Sequence, residues 1–169
     1  LFVPGVTPTK WARIWNDRMR RQRLDLQLAT QADAIAALRD AAARAAFLRD
    51  VDADDEFSAI RLYEEQPVVV ASRDHLFAAL GEHETVGADE LASENLIDGQ
   101  DAGVIDLVAA GVGVATMPQS VARLFSRESL NQLVLFSGMQ PARLKRVENH
   151  RLGESAQQLD HWWEMLNSA

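Results

Sequence analysis

The chain has 169 residues, 47% of them hydrophobic and 25% charged, which is enough apolar material for one compact domain or two small lobes. The formal net charge of -8 disfavours a grip on phosphate backbones, and the absence of cysteine excludes disulfides, thiolate metal sites, cysteine nucleophiles and thiol redox sensing. No apolar run approaches the roughly 20 residues needed to span a bilayer and no signal peptide is visible, so a cytoplasmic location is expected.

Leu1 to Val3 reads as the end of a buried strand, broken by Pro4 and Gly5. Thr7 or Thr9 then caps a helix, with Pro8 suited to its first turn, and Trp11, Ile14, Trp15 and Met19 recur at helical spacing. Arg18, Arg20, Arg21 and Arg23 complement the carboxyl end of that helix. Leu24, Leu26 and Leu28 alternate as a strand does, Gln31 to Asp40 returns to helical spacing, and Ala45 to Leu48 is a short apolar strand. The order β-α-β-α-β predicts a parallel sheet with right-handed crossovers.

An acidic loop follows from Val51 to Phe57, then a strand at Ser58 to Leu62, a polar junction, and a β-branched strand from Pro67 to Ala71. Short helices are expected at Asp74 to Leu80 and Gly87 to Ser93, with a brief strand at Leu96 and Ile97. Helix Gly103 to Ala110, strand Val112 to Met117, helix Gln119 to Phe125 and strand Leu130 to Phe136 come next, with a further strand at Leu144 to Val147. Ser155 to Asn167 is amphipathic and helical, with Leu159, Trp162, Trp163 and Leu166 on one face, where packing is the plain role of the two tryptophans. There is no internal repeat.

The most distinctive segment is Leu107-Val108-Ala109-Ala110-Gly111-Val112-Gly113-Val114-Ala115-Thr116-Met117-Pro118. Gly111 suits a left-handed helix exit, Gly113 allows a close pass between helix and strand, and Pro118 ends the strand and opens the next helix. This block resembles the helix–glycine–strand–proline segment of LysR-type effector domains. In matching order, Ala34 to Leu48 is similar to the family's second helix and third strand, Ile60 to Val70 to its first crossover between lobes, and Asp74-His75 with Ala88 to Ile97 to the start of its second lobe. Two features depart from that pattern. Ala41 to Arg44 lacks the usual Gly and Asp, and the stretches at Ile97 to Asp101 and Asn149 to Ser155 are short enough that additional residues are expected near Gln100–Asp101 and Arg151–Ser155.

The resemblance implies an α/β fold of two lobes, like the type 2 periplasmic-binding proteins, each lobe a mainly parallel sheet with flanking helices. The first lobe is residues 1–66 plus 135–169 and the second is 67–134. It further implies a small effector in a cleft, lined by Pro4, Gly5, Val6, Thr7, Thr9, Thr30, Gln31 and Arg49 from the first lobe and by Asp98 and Thr116 from the second. Thr7 and Thr9 at a helix amino end, with Arg49 as a bidentate donor, favour an anion. Each has a plainer role. Thr7 and Thr9 read equally as helix caps, Arg49 beside Asp50 as a surface ion pair, and Thr116 as a partner for backbone groups.

Pairing of two copies, as dimer or tetramer, is implied through Ile14 and Trp15 on the first helix and Val121 and Phe125 further on. Burial within the lobe is the competing role for Trp11 and Trp15. DNA binding is implied only through an N-terminal winged helix-turn-helix preceding this chain. No catalytic residue, metal or cofactor is expected. His75, His83, His150 and His161 are scattered, no His-Glu-x-x-His or Gly-x-Ser-x-Gly spacing occurs, and no glycine loop suited to phosphate opens a helix. An exported solute-binding protein of the same fold is the alternative reading.

Overall fold

The computed structural model describes residues 1–80, 84–125, 130–137 and 139–149, with the backbone alone described for 130–135. The amphipathic segment from Ser155 to Asn167, with Trp162 and Trp163, and the Arg151–Ser155 junction lie outside the described residues. The chain divides into two compact units, Leu1–Tyr63 with Arg143–Ala169, and Glu64–Ala142.

Unit 1 begins with Phe2, which forms parallel bridges to Leu28 on one side and to Phe47 on the other. Helix α1 (Thr9–Arg18) lies between the first two of these positions in sequence and α2 (Gln31–Arg39) between the second and β1 (Ala45–Arg49). The strand expected at Leu24 to Leu28 reduces to the single bridge at Leu28, whose side chain is 60% exposed. Leu24 and Leu26 are half-buried and alternate with exposed Asp25 and Gln27, so the alternation survives in burial without a continuous ladder. Neither Thr7 nor Thr9 caps α1. Pro8 occupies that position with no side-chain cap, and its carbonyl accepts from Ala12 N–H at 2.9 Å. The φ and ψ of Pro8, -76° and 6°, already approach helical values, so the helix starts from its carbonyl without a hydroxyl.

Strand β1 alternates strictly between core and periphery. Ala46 and Leu48 join Ala34 and Leu38 of α2, together with Val3, Val6 and Phe57, in one buried cluster, while Phe47 faces Trp11 at a ring separation of 5.0 Å. Strand β7 (Ala142–Asn149) lies between β1 and β2 (Phe57–Glu65) and runs antiparallel to β1.

Unit 2 is built on β3 (Pro67–Ser72). Val68 and Val70 pack against α4 (Ala102–Ala109) and α5 (Gln119–Leu124), and Val69 and Ala71 pack on the opposite face against Phe77, Val86 and Leu91. Five consecutive apolar residues are therefore buried on both faces, which explains a β-branched run without alternation. The strand order is β4 (Thr85–Val86), β6 (Leu130–Phe136), β3, β5 (Ala115–Pro118), with α3 at Ala88–Ala92. The helix expected at Asp74 to Leu80 is a 3-10 turn over Leu76–Ala79, and the strand expected from Val112 starts only at Ala115.

Mainly parallel sheets were expected; in unit 2 strand direction follows that expectation with one exception, and among the described pairings of unit 1 one strand is reversed. In unit 2, β4 and β6 are parallel and Leu96 bridges Val114 in parallel, whereas β3 is antiparallel to both β5 and β6. In unit 1 the reversed strand is β7. Both are the strands by which the chain enters or re-enters a unit without a helical crossover, and crossovers are what make neighbours parallel. Because β3 is central, its two ladders are antiparallel even though most strand positions share a direction.

The stretch before α4 is short. Leu96 bridges Val114, Gly99 turns at φ 118°, and the Asp101 carboxylate caps α4 by accepting from Gly103 and Val104 N–H groups at 2.8 and 3.1 Å. A left-handed glycine thus turns the chain directly into its helix cap.

Candidate functional site

Three segments in unit 1 lie at the ends of parallel strand positions: Pro4-Gly5 after Phe2, Thr30-Gln31 after Leu28, and Arg49, the last residue of β1, with Asp50. They therefore gather at the carboxyl ends of those strands, where open α/β sheets take ligands. Gly5 and Asp50 both turn with positive φ, 86° and 53°.

Hydrogen bonds join the loops around Arg49. Its Nη2 donates to the Pro4 carbonyl at 2.8 Å. The Gln31 side chain brackets the Arg49 backbone, donating from Nε2 to its carbonyl at 2.9 Å and accepting at Oε1 from its N–H at 3.1 Å. Asp50 holds the next residue in place, since its N–H donates to the Arg143 carbonyl at 2.9 Å and its Oδ1 accepts from Arg143 N–H at 2.8 Å. A carboxylate engaged in this way anchors the loop to β7, a role that the Arg49–Asp50 ion pair considered from sequence did not foresee.

The remaining candidates fall into different positions. Thr30 caps α2, accepting from Asp33 N–H at 3.1 Å and donating to the Asp33 carboxylate at 2.7 Å. Val6 is 4% exposed within the unit 1 core, so its side chain is committed to packing. Thr7 and Thr9 are exposed beside Pro8. Asp98 is exposed and Thr116 is half-buried on β5 opposite Val69, both in unit 2.

Of the residues considered for pairing between copies, Ile14 and Trp15 are half-buried on α1, and the Trp15 indole N–H donates to the Gln22 carbonyl at 2.9 Å. Trp11 is partly buried against the unit 1 core. Val121 is 1% exposed in the unit 2 core and Phe125 packs against the same cluster, because both face the β3 valines and not outward.

Sequence reasoning missed several polar contacts that shape unit 2. His75 Nδ1 accepts from Phe77 N–H at 3.2 Å, which fixes the proton on Nε2, and that nitrogen donates to Glu94 at 3.1 Å. Glu65 is 5% exposed and accepts from the Ser120 hydroxyl. Asn95 Nδ2 donates to the Val112 carbonyl at 2.8 Å. These pairs are 19, 55 and 17 residues apart, and no periodicity in the sequence links them. Among the described residues, no group of three or more His, Asp or Glu side chains is arranged to hold a metal, and no helix is long and apolar enough to cross a membrane.

Residues 9–102, more than half of the chain, match the family described as the LysR substrate binding domain. Among solved structures, a cysteine mutant of OxyR from Corynebacterium glutamicum bound to H2O2 is similar, with 19% identity and a TM-score of 0.77 over 98% of this chain and 64% of that one. The BenM effector binding domain with its effector benzoate shares 15% identity at a TM-score of 0.79, over 99% of this chain and 89% of that one. A mutant OxyR regulatory domain from Pseudomonas aeruginosa shares 14% identity at a TM-score of 0.74, over 98% and 93%. The chain thus spans about two thirds of the C. glutamicum OxyR chain and nearly all of the isolated effector and regulatory domains. No curated protein matches it in sequence. These likenesses give the fold as the two-lobed, periplasmic-binding-protein-like α/β architecture, and the family match makes the chain a LysR substrate binding domain.

Proposed function

We propose that this chain senses a small anion on behalf of a LysR-type transcription regulator, and that the anion binds at the unit 1 loops around Arg49. The supporting observation is the bracing of Arg49, whose backbone is held by Gln31 while its guanidinium reaches the Pro4 carbonyl. A guanidinium has five N–H donors, so it can hold a backbone carbonyl and a carboxylate together. A cation fixed before the ligand arrives loses less entropy on binding than one recruited by it.

In this reading the domain regulates and does not catalyse, resides in the cytoplasm, and acts on DNA through an N-terminal winged helix-turn-helix. Two copies associate through the α1 face carrying Ile14 and Trp15. An exported solute carrier is not favoured, since the matching family is the effector domain of regulators.

The test is a thermal-shift screen of small carboxylates followed by calorimetric titration of the hits. A ligand that binds only the folded state raises Tm by mass action. Arg49→Ala is expected to weaken the best hit by at least tenfold, since a hydrogen bond to a charged group contributes about 1.5–3 kcal/mol. A panel with no hit, or a hit indifferent to Arg49→Ala, overturns the proposal.

A further inference from the structure

We propose that Asp98-Gly99 in unit 2 is a site of spontaneous covalent modification, where aspartate isomerises to isoaspartate through a cyclic imide. Of the aspartates and asparagines of the chain, Asp98 alone is followed by glycine. The reaction brings the next residue's backbone nitrogen onto the side-chain carboxyl, and a side chain on that residue crowds the approach. Glycine removes the obstacle and widens the accessible backbone angles. The step is intramolecular and balances with water alone. The Gly99 nitrogen attacks Asp98 Cγ and gives up its proton, the carboxyl in its acid form gives up a hydroxyl, and the two leave as water from a five-membered ring. Water then adds back at one of the two ring carbonyls. Breaking the Cγ–N bond restores aspartate. Breaking the bond from the backbone carbonyl carbon to the same nitrogen leaves the main chain running through Cβ and Cγ, one methylene longer, with the free carboxylate on Cα.

The fold leaves this pair open to ring closure. The Ile97 N–H donates to the Val114 carbonyl at 2.8 Å, the α4 cap starts at Asp101, and the backbone between them belongs to no helix or strand. Asp98 is exposed. Among the described residues, neither its carboxyl nor the Gly99 N–H makes a hydrogen bond, whereas the carboxylates of Asp33, Asp50, Asp52, Asp54 and Asp101 are all engaged. A bonded carboxyl or amide must first be released, so an unbonded pair reaches the reacting geometry at lower cost.

The fold also holds the reactive pair in the sequence. Gly99 turns at φ 118°, and a Cβ there would lie 2.8 Å from Val104 Cγ2. The turn into α4 therefore needs the same glycine that makes its neighbour reactive. The added methylene falls just before the Asp101 carboxylate that accepts from the Gly103 and Val104 N–H groups, so isomerisation loosens the start of α4.

The experiment is prolonged incubation of the folded chain at physiological temperature. Peptide mapping by mass spectrometry reads the imide, which is one water lighter, and methylation by an isoaspartyl methyltransferase reads the product. Product is expected at Asp98 ahead of every other aspartate. Asp98→Glu is expected to slow it roughly tenfold or more, because a six-membered ring must then close. Asp98→Asn is expected to speed imide formation, with ammonia leaving in place of water. Asp98 is exposed, so both variants are expected to keep the fold, and circular dichroism checks that. A parallel incubation in urea separates sequence from structure: conversion in the folded chain is expected within about threefold of the unfolded rate, as for a segment free of regular structure. Absence of product at Asp98, product unchanged in Asp98→Glu, or a folded-state rate roughly tenfold or more below the unfolded one overturns the proposal.

Discussion

The two helix-to-strand transitions, α2 into β1 in unit 1 and α4 into β5 in unit 2, solve one geometric problem with different residues. Each helix ends on a residue with positive φ, Ala41 at 55° and Gly111 at 75°. In unit 2 the residue is the glycine that such an exit favours, and two residues later a second glycine passes against the backbone of Asn95. In unit 1 the residue is alanine, followed by three further residues before β1. The difference shows what forces a glycine. Where backbone meets backbone no side chain fits, whereas in an open exit alanine is tolerated at a conformational cost.

Gly113→Ala gives the largest expected effect. A Cβ there would collide with the Asn95 carbonyl oxygen, which also accepts from Val114 N–H at 3.0 Å. The obstacle is backbone, so relief requires moving the 95–97 connection and disturbing the Asn95 bond to Val112 as well. A loss of about 3 kcal/mol is expected by urea unfolding, typical of a core position forced to shift. A loss below about 1 kcal/mol would show that this connection yields, and would erase the contrast with unit 1.

The two exits themselves predict shifts of opposite sign. At Gly111 nothing lies within 4 Å of a built Cβ, so Gly111→Ala costs only the left-handed conformation, about 1–2 kcal/mol. Ala41→Gly relieves the same strain but adds freedom to the unfolded chain, leaving a gain of about 0.5 kcal/mol. Thermal unfolding of both variants checks the pair: Tm falls for the first and rises for the second. Shifts of the same sign would break the comparison, because the two positive-φ positions would then not be equivalent.

The contrast also marks which parts of the molecule were legible in the sequence. Gly111, Pro118 and the unbroken run of Val68, Val69 and Val70 announce unit 2, because close packing and special φ values restrict residue type. Gly113 was legible as a close approach, but its neighbour was taken to lie between helix and strand and proves to be Asn95, in a connection with no periodic signal. The reversed direction of β3 and β7 was not legible, since alternation encodes burial and says nothing of strand direction. At the site, Arg49 was identifiable by its place after a strand. The roles of Gln31 and Thr30 were not, because an amide or hydroxyl near a helix start reads alike as cap, brace or ligand contact.

Charge gives the last and smallest contrast. Unit 1 anchors the loop after β1 with acids: Asp50 to the Arg143 backbone, and Asp52 to the Lys145 ammonium at 2.5 Å. The hydrogen bond from Lys145, then its charge, holds the Asp52 carboxyl below the usual 3.8, with a smaller contribution from Arg143. A carboxyl with a depressed folded-state value stabilises above its unfolded value and loses that contribution as pH falls through the folded one. Asp52→Asn should therefore lower Tm slightly near neutral pH, and the gap to wild type should close below 3.8 as wild-type Asp52 itself takes up a proton. The Asp52 side chain is 88% exposed, so solvent screens the pair, and the gap should also narrow in high salt. Gly111→Ala and Gly113→Ala alter backbone geometry and no titrating group, so their Tm deficits should persist across the same pH range. A pH-dependent deficit in the glycine variants, or a pH-independent one in Asp52→Asn, would mean that electrostatic and steric anchoring do not divide between the units in this way.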